Sequence, residues 1–246
     1  MQGKVALVTG GAKRVGASIV RRLHGAGWNV MLHYRSSTQE ARALAAELNL
    51  QRPGSVALTQ ADLLNIAGLP VLVQQTLAQF GRLDALVNNA SSFFPTPLGE
   101  INEESWTDLI GSNVKAPLFL AQAAAPELKK TQGCIVSIAD ILVDRPMRQH
   151  AVYTIGKAGI VAMTRALARD LAPEVRVNAV APGANVWPDD ESVFDEVHRQ
   201  RIISSIPLKR VGEPDDLART IQFLIEDAPY ITGQIINVDG GRSVYL

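Results

Sequence analysis

The sequence predicts an α/β fold, doubly wound, with a seven-stranded parallel sheet and helices on both faces. Three observations carry this. Short β-branched runs alternate with longer amphipathic segments along the whole chain. The short runs are nearly continuous in apolar residues, as parallel strands covered on both faces require. The 246 residues, 47% hydrophobic, supply one substantial core, so 1–246 reads as a single domain without repeats, low-complexity tracts or linkers.

The expected strands are Val5–Thr9, Asn29–Tyr34, Ser55–Gln60, Ala85–Asn88, Cys134–Ile138, Val175–Ala181 and Gln234–Val238. Between them lie helical patterns at Gly16–Ala26, Thr38–Leu50, Pro70–Phe80, Glu103–Leu128, Val152–Leu171 and Asp215–Ile225. Gly27 suits a helix stop and Pro70 a first-turn position. The fourth helical pattern reads as two helices broken near Gly111-Ser112-Asn113. Strand–helix alternation throughout implies βαβ units and one open parallel sheet. The irregular stretch Pro182–Val193 follows a strand and is placed to cover a ligand at the carboxyl edge of the sheet.

Composition excludes several classes of function. The balance of 24 Lys+Arg and 24 Asp+Glu gives no field to concentrate nucleic acid or an anionic membrane. The single cysteine, Cys134, rules out a disulfide framework and reads as a small hydrophobe on a buried strand. The four histidines show no metal-ligand spacing. No signal peptide or bilayer-length apolar stretch is visible, and a cytoplasmic protein is expected.

The first strand runs into Thr9-Gly10-Gly11-Ala12-Lys13-Arg14-Val15-Gly16. A turn from a strand into a helix N-terminus aims backbone N–H groups and the helix dipole at one spot, which attracts phosphate. Glycine allows close approach of the ligand and tight helix–sheet packing. The second strand ends in His33-Tyr34-Arg35-Ser36, without the acid that bonds the ribose 2′-hydroxyl of NAD. Arg35 and Ser36 instead offer a cation and a hydroxyl to a 2′-phosphate, and Lys13 and Arg14 add positive charge. NADPH is therefore the expected cofactor. Asp62, after the third strand, suits either the adenine amino group or a helix cap.

Tyr153 and Lys157 lie four apart at the start of a predicted helix, on one face. A nearby ammonium favours phenolate, so Lys157 is expected to lower the Tyr153 pKa from its ordinary value of about 10. Tyr153 would then exchange a proton with a substrate as hydride moves.

The ordered set Thr9-Gly10…Gly16, Asn88-Asn89-Ala90, Asn113, Tyr153-x-x-x-Lys157, Pro182-Gly183 and Asp239-Gly240-Gly241 resembles the short-chain dehydrogenase/reductase family over essentially the whole chain. The resemblance implies a Rossmann-type fold, a nicotinamide cofactor and a homotetramer. It implies Tyr153 as proton donor, Lys157 as its pKa modulator and ribose ligand, and Asn113 as organiser of a relay water.

Two departures narrow the choice. Arg14 stands where most of the family has glycine, and Asp140, thirteen residues before Tyr153, stands where most has serine. Both resemble the pteridine reductase branch, as do His33-Tyr34-Arg35-Ser36 and Asn89–Leu98. The resemblance then places the cofactor against Gly10, Lys13, Arg14, Val15, His33, Tyr34, Arg35, Ser36, Asp62, Leu63, Asn89, Ala90, Ser91, Tyr153, Lys157, Pro182, Gly183 and Asn185. It places a pterin or folate against Arg14, Ser91, Phe93, Asp140 and Tyr153, with Phe93 as a flat platform. Of the adjacent pair, one of Phe93 and Phe94 is expected as platform and the other as core or wall.

The chemistry at Asp140 agrees. A carboxylate beside a developing alkoxide repels it, whereas it can hold or relay a proton to the nitrogen of a C=N bond. The competing expectations are an ordinary ketone or 3-oxoacyl thioester reductase and a non-catalytic NADPH-binding sensor. The intact Asn113, Tyr153 and Lys157 argue against the sensor.

Overall fold

The computed structural model describes residues 3–186 and 196–244. The rest of the expected covering loop, with Trp187, Asp189 and Asp190, lies outside the described residues. In chain order the elements are β1 (Val5–Val8), α1 (Arg14–Gly25), β2 (Asn29–Tyr34), α2 (Thr38–Gln51), β3 (Val56–Gln60), α3 (Leu69–Phe80), β4 (Ala85–Asn88) and α4 (Glu103–Ile110). They continue as α5 (Ala116–Thr131), β5 (Cys134–Ile138), α6 (Ala151–Asp170), β6 (Arg176–Pro182), α7 (Glu196–Ser204), α8 (Pro214–Glu226) and β7 (Ile235–Val238).

The seven strands form one sheet in the order β3-β2-β1-β4-β5-β6-β7. Every neighbouring pair is parallel. Successive side chains of a strand feed two different cores. Ala6 and Val8 pack with Ile19, Leu44 and Ile221 of α1, α2 and α8. Val5 and Leu7 pack with Leu72, Leu120 and Ala168 of α3, α5 and α6. All four strand residues are buried, so the run reads as continuously apolar even though its side chains alternate between faces. Cys134 is buried in the same way, and loss of water around it pushes its thiol up to about 11.

The chain order reverses between β1 and β4. The loops leaving these neighbouring strands diverge to opposite faces, which opens a crevice at their carboxyl ends. The close approach of the two loops is visible at Gly10, where an added Cβ would meet Ala90 Cα at 3.0 Å.

Three differences from the expected elements bear on the site. Helix α1 starts at Arg14, two residues before Gly16, and Arg14 has a left-handed φ of 49°. That conformation explains what a glycine would do at this position. The break in the long helical pattern is a π-helical turn, Gly111–Lys115, joining α4 to α5. Its wider turn is accommodated at Gly111, where a Cβ would lie 2.5 Å from Leu64 Cδ2. Helix α7 was not expected, because Glu196-Val197-His198-Arg199-Gln200-Arg201 lacks an apolar face of helical period.

Gly16 is the tightest point of the first turn. A Cβ there would stand 2.1 Å from the Gly10 carbonyl oxygen, a backbone atom that cannot swing aside. Alanine ordinarily adds about 1 kcal/mol to a helix relative to glycine, but overpacking reverses the sign. Gly16→Ala is expected to cost about 1–3 kcal/mol, read in thermal unfolding at about 2–4 °C of Tm per kcal/mol. An equal or higher Tm would show that the turn yields.

Candidate active site

A cavity of about 970 Å³ opens at the carboxyl edge of the sheet. Gly10, Lys13, Arg14 and Val15 of the first turn line it, followed by His33, Tyr34, Arg35 and Ser36 from the end of β2. Asp62 and Leu63 after β3, then Asn89, Ala90, Ser91 and Phe93 after β4, continue the wall. Pro182 and Asn185 close it beyond β6. Asp140, Asn113, Tyr153 and Lys157 stand behind this wall. Gly183 is spent on packing: its N–H donates to Val238 O at 3.1 Å, and a Cβ would meet Asp239 Cβ at 2.6 Å.

The glycine turn is gripped from two strands. Asn89 Nδ2 donates to the Thr9 and Gly10 carbonyls at 2.9 and 3.0 Å. Thr9 Oγ1 accepts the Asn89 and Ala90 N–H groups at 3.0 and 3.1 Å. On the other side Gly10 N–H donates to His33 Nδ1 at 3.2 Å, and His33 Nε2–H donates to Ala61 O at 3.1 Å. His33 thus lines the cavity while its ring is tied to the backbone on both sides. Its ring is buried and both nitrogens are committed to backbone, so it shapes the turn. The Tyr34 ring likewise belongs to the core beneath α1 and α2, and Leu63 to the opposite core.

This turn fits a dinucleotide. No side chain caps the start of α1 and no acid lies in its first turn, leaving the dipole's positive end to a phosphate. Arg14 and Arg35 border the same space. Lys13 does too, but its Nζ is 2.6 Å from Glu40 Oε1, a partner not foreseen in the sequence. Its charge is thus shared. Asp62 caps no helix; its Oδ1 accepts the Leu64 N–H at 3.0 Å within a turn, and the residue lines the cavity. Asn185 donates to Glu213 O at 3.3 Å, and its Oδ1 is buried without a protein partner.

Behind the wall, the Tyr153 hydroxyl donates to Asp140 Oδ2 at 2.6 Å. The other oxygen of Asp140 accepts the Leu142 N–H at 2.8 Å, capping a short 3₁₀ turn. Lys157, one turn along α6, donates to Ile138 O at 2.8 Å and stands 5.7 Å from the Tyr153 ring centre. Burial pushes the phenol far above the ordinary tyrosine range, and the charge and hydrogen bond of Asp140 push it further. The expected lowering by Lys157 is therefore not what this arrangement gives. The lysine's nearest recorded partner is a carbonyl, and its own pKa is brought down by burial to about 8. Burial also raises the Asp140 pKa, against the opposing pull of its hydrogen bonds and of Lys157 and Arg242. The assembly suits a neutral phenol whose hydroxyl is held by a buried carboxyl group.

Asn113 sits in the π-helical turn. Its Nδ2 donates to Ser92 O and Leu109 O at 2.9 and 3.0 Å, and its Oδ1 is buried without a protein partner. The phenylalanine pair divides as expected. Phe94 packs on the cluster of Leu109, Val152 and Tyr153, whereas Phe93 is 50% exposed on the cavity wall. Phe93 also meets His150, which sequence reasoning missed, in a stack with centroids 4.8 Å apart and planes at 23°. Its contact with the Tyr153 ring is edge-on at 4.8 Å. A histidine three residues before a tyrosine carries no signal until the loop folds over the aromatic stretch.

The chain is similar to known proteins over nearly its whole length. Residues 10–243 match the family model described as enoyl-(acyl carrier protein) reductase. Pteridine reductase 1 of Leishmania tarentolae is 38% identical over 283 residues, covering 98% of this chain and 96% of that protein. A 3-oxoacyl-[acyl-carrier-protein] reductase FabG of Staphylococcus aureus is 36% identical over 241 residues, covering 97% of each. An oxidoreductase of Methylorubrum extorquens is 35% identical over 245 residues, covering 98% of each.

The His33 tie makes the turn sensitive to acid. Burial lowers the His33 pKa, with the Ala61 hydrogen bond and the Asp62 charge opposing. A protonated Nδ1 cannot accept the Gly10 N–H. The stability lent by neutral His33 is thus present above the unfolded value of about 6.5 and is lost as pH falls through the depressed folded value. Tm measured from pH 7 down to pH 5 should fall less steeply in His33→Gln than in the parent. Identical slopes would remove His33 from the acid response; His24, also lowered by burial, contributes to both proteins alike.

Proposed function

The chain belongs to the short-chain dehydrogenase/reductase family, and we propose that it is an NADPH-dependent reductase of a C=N bond in a pterin. The observation that carries this reading is the 2.6 Å hydrogen bond from the Tyr153 hydroxyl to Asp140. When bound, the nicotinamide cofactor supplies the hydride. The chain's own groups supply the matching proton. Tyr153, held neutral by burial, donates its phenolic proton to the substrate nitrogen. Asp140, in hydrogen-bond contact with that hydroxyl, relays the replacement proton from water to the phenol. Asn113 Oδ1 suits a water that resupplies the site, and Lys157 suits the ribose hydroxyls.

The cofactor preference follows from charge. The end of β2 presents Arg35 and Ser36 to the cavity and no acid, which favours a 2′-phosphate over a free hydroxyl. Arg14 and Ser91 are placed to serve both the phosphates and the pterin, and Phe93 offers the exposed part of its ring as the pterin's platform. A homotetramer in the cytoplasm is the assembly that this reading carries with it.

A second reading, reduction of a 3-oxoacyl thioester, is favoured by the FabG-named relatives at nearly the same identity. Asp140 weighs against it. An alkoxide forming beside Tyr153 would face a carboxyl group whose ionised form repels it, with no neutral hydroxyl in its place.

The test is NADPH oxidation followed with dihydrobiopterin, dihydrofolate, dihydromonapterin and acetoacetyl-CoA in parallel. Turnover of at least one pterin is expected. Robust turnover of the thioester with none of the pterins would overturn the reading. In Asp140→Ser, pterin kcat should fall about 10²-fold or more, the scale of a lost acid–base group, while NADPH affinity holds within about twofold. Equal losses of both would make Asp140 a structural residue.

A further inference from the structure

The cavity has two ends with different chemistry, and one cation at the Phe93 end is unused by the reading above. Arg148 lines the cavity together with Met147, Gln149 and His150. Its side chain is exposed, and among the described residues its guanidinium makes no hydrogen bond or ion pair. Lys13, Arg14 and Arg35 belong to the turn end, where a dinucleotide fits. Arg148 instead precedes by two residues the histidine whose ring stacks on Phe93.

The loop that carries Arg148 is built rather than loose. Gln149 holds a left-handed φ of 63°, an uncommon conformation for a residue with a side chain. The Thr96 N–H donates to Gln149 O at 2.5 Å, and Thr96 and His150 form a parallel bridge, so the loop is clipped to the stretch beside Phe93. His150 Nδ1–H donates back to Arg148 O at 2.7 Å, which fixes the ring's tautomer and the backbone at Arg148. Backbone strain held this way recurs at ligand clamps.

A guanidinium with no partner among the described residues, carried on a loop clipped to the stretch beside Phe93 and lining the same cavity, matches a planar ring whose substituent ends in an anion. We infer that Arg148 is a specificity-determining residue that selects substrates with an anionic side chain, carboxylate or phosphate, over those with a neutral one. The inference rests on the pterin reading and deepens it. A folate-type pterin carries carboxylates and a phosphorylated dihydropterin carries phosphates, whereas biopterin's side chain has only hydroxyls.

The experiment compares kcat/KM for dihydrofolate, dihydroneopterin triphosphate and dihydrobiopterin in the parent, Arg148→Met, Arg148→Lys and, as a remote surface control, Arg169→Met. In Arg148→Met the anionic-to-neutral ratio should fall about tenfold or more, the scale of one charge-assisted hydrogen bond, chiefly through KM. Arg148→Lys should recover part of it and Arg169→Met should leave it in place. The anion whose ratio falls further identifies the group that Arg148 holds. Rising salt should narrow the ratio in the parent and not in Arg148→Met. A ratio within twofold of the parent overturns the inference while leaving pterin reduction standing. A raised KM for NADPH without a change in the ratio also overturns it, by assigning the cation to the cofactor. Failure of the parent on all three pterins, with turnover of acetoacetyl-CoA, overturns the underlying reading and this one with it.

Discussion

The close approach of Gly16 to the Gly10 carbonyl governs the geometry of the whole site. It presses the start of α1 against the end of β1 and aims the helix's uncapped N-terminus across the crevice where the sheet reverses direction. Two grips keep it there. Asn89 reaches over from β4 to both carbonyls of the turn, and His33 reaches over from β2 to the Gly10 N–H. The three strand ends that border the crevice are thereby locked to one another through the turn.

The second constraint is the crowding of three ionisable side chains in one nearly dry place. Water would keep a lysine and a carboxyl charged and a phenol neutral. Burial opposes each charge, so proton occupancy there is set by mutual contact. The contact made is between phenol and carboxyl, while the lysine anchors to the Ile138 carbonyl. That division of partners is why Asp140 governs Tyr153 more directly than Lys157 does. It also gives the two oxygens of Asp140 different duties, one holding the Leu142 N–H and the other facing the phenol.

Much of this was legible in the sequence. Continuous apolar strands separated by helices imply the doubly wound sheet, because parallel strands must bury both faces. Gly10, Gly16 and the tyrosine–lysine spacing gain their meaning only from that strand–helix frame, which places them at one edge of the sheet. What stayed hidden depends on distant side chains meeting. Glu40 claims Lys13 from a helix 27 positions away in the chain. No local signal at His33 shows that both its ring nitrogens meet backbone. Nothing local in His150 announces a stack on Phe93. The π-helical turn reads only as a break, since the close packing of Leu64 on Gly111 is a contact between distant residues. Helix α7 escapes because its residues carry no apolar stripe.

The His33 anchor has a consequence for anyone who would re-engineer the cofactor preference. The segment proposed to choose between dinucleotides sits at the end of β2, and His33 within it is also a structural member of the neighbouring glycine turn. The end of β2 and the glycine turn are thus one mechanical part. A cassette transplanted from a relative across positions 33–36 would remove a fastener along with the selector. Such a graft needs either to retain the imidazole or to bring its own matched turn.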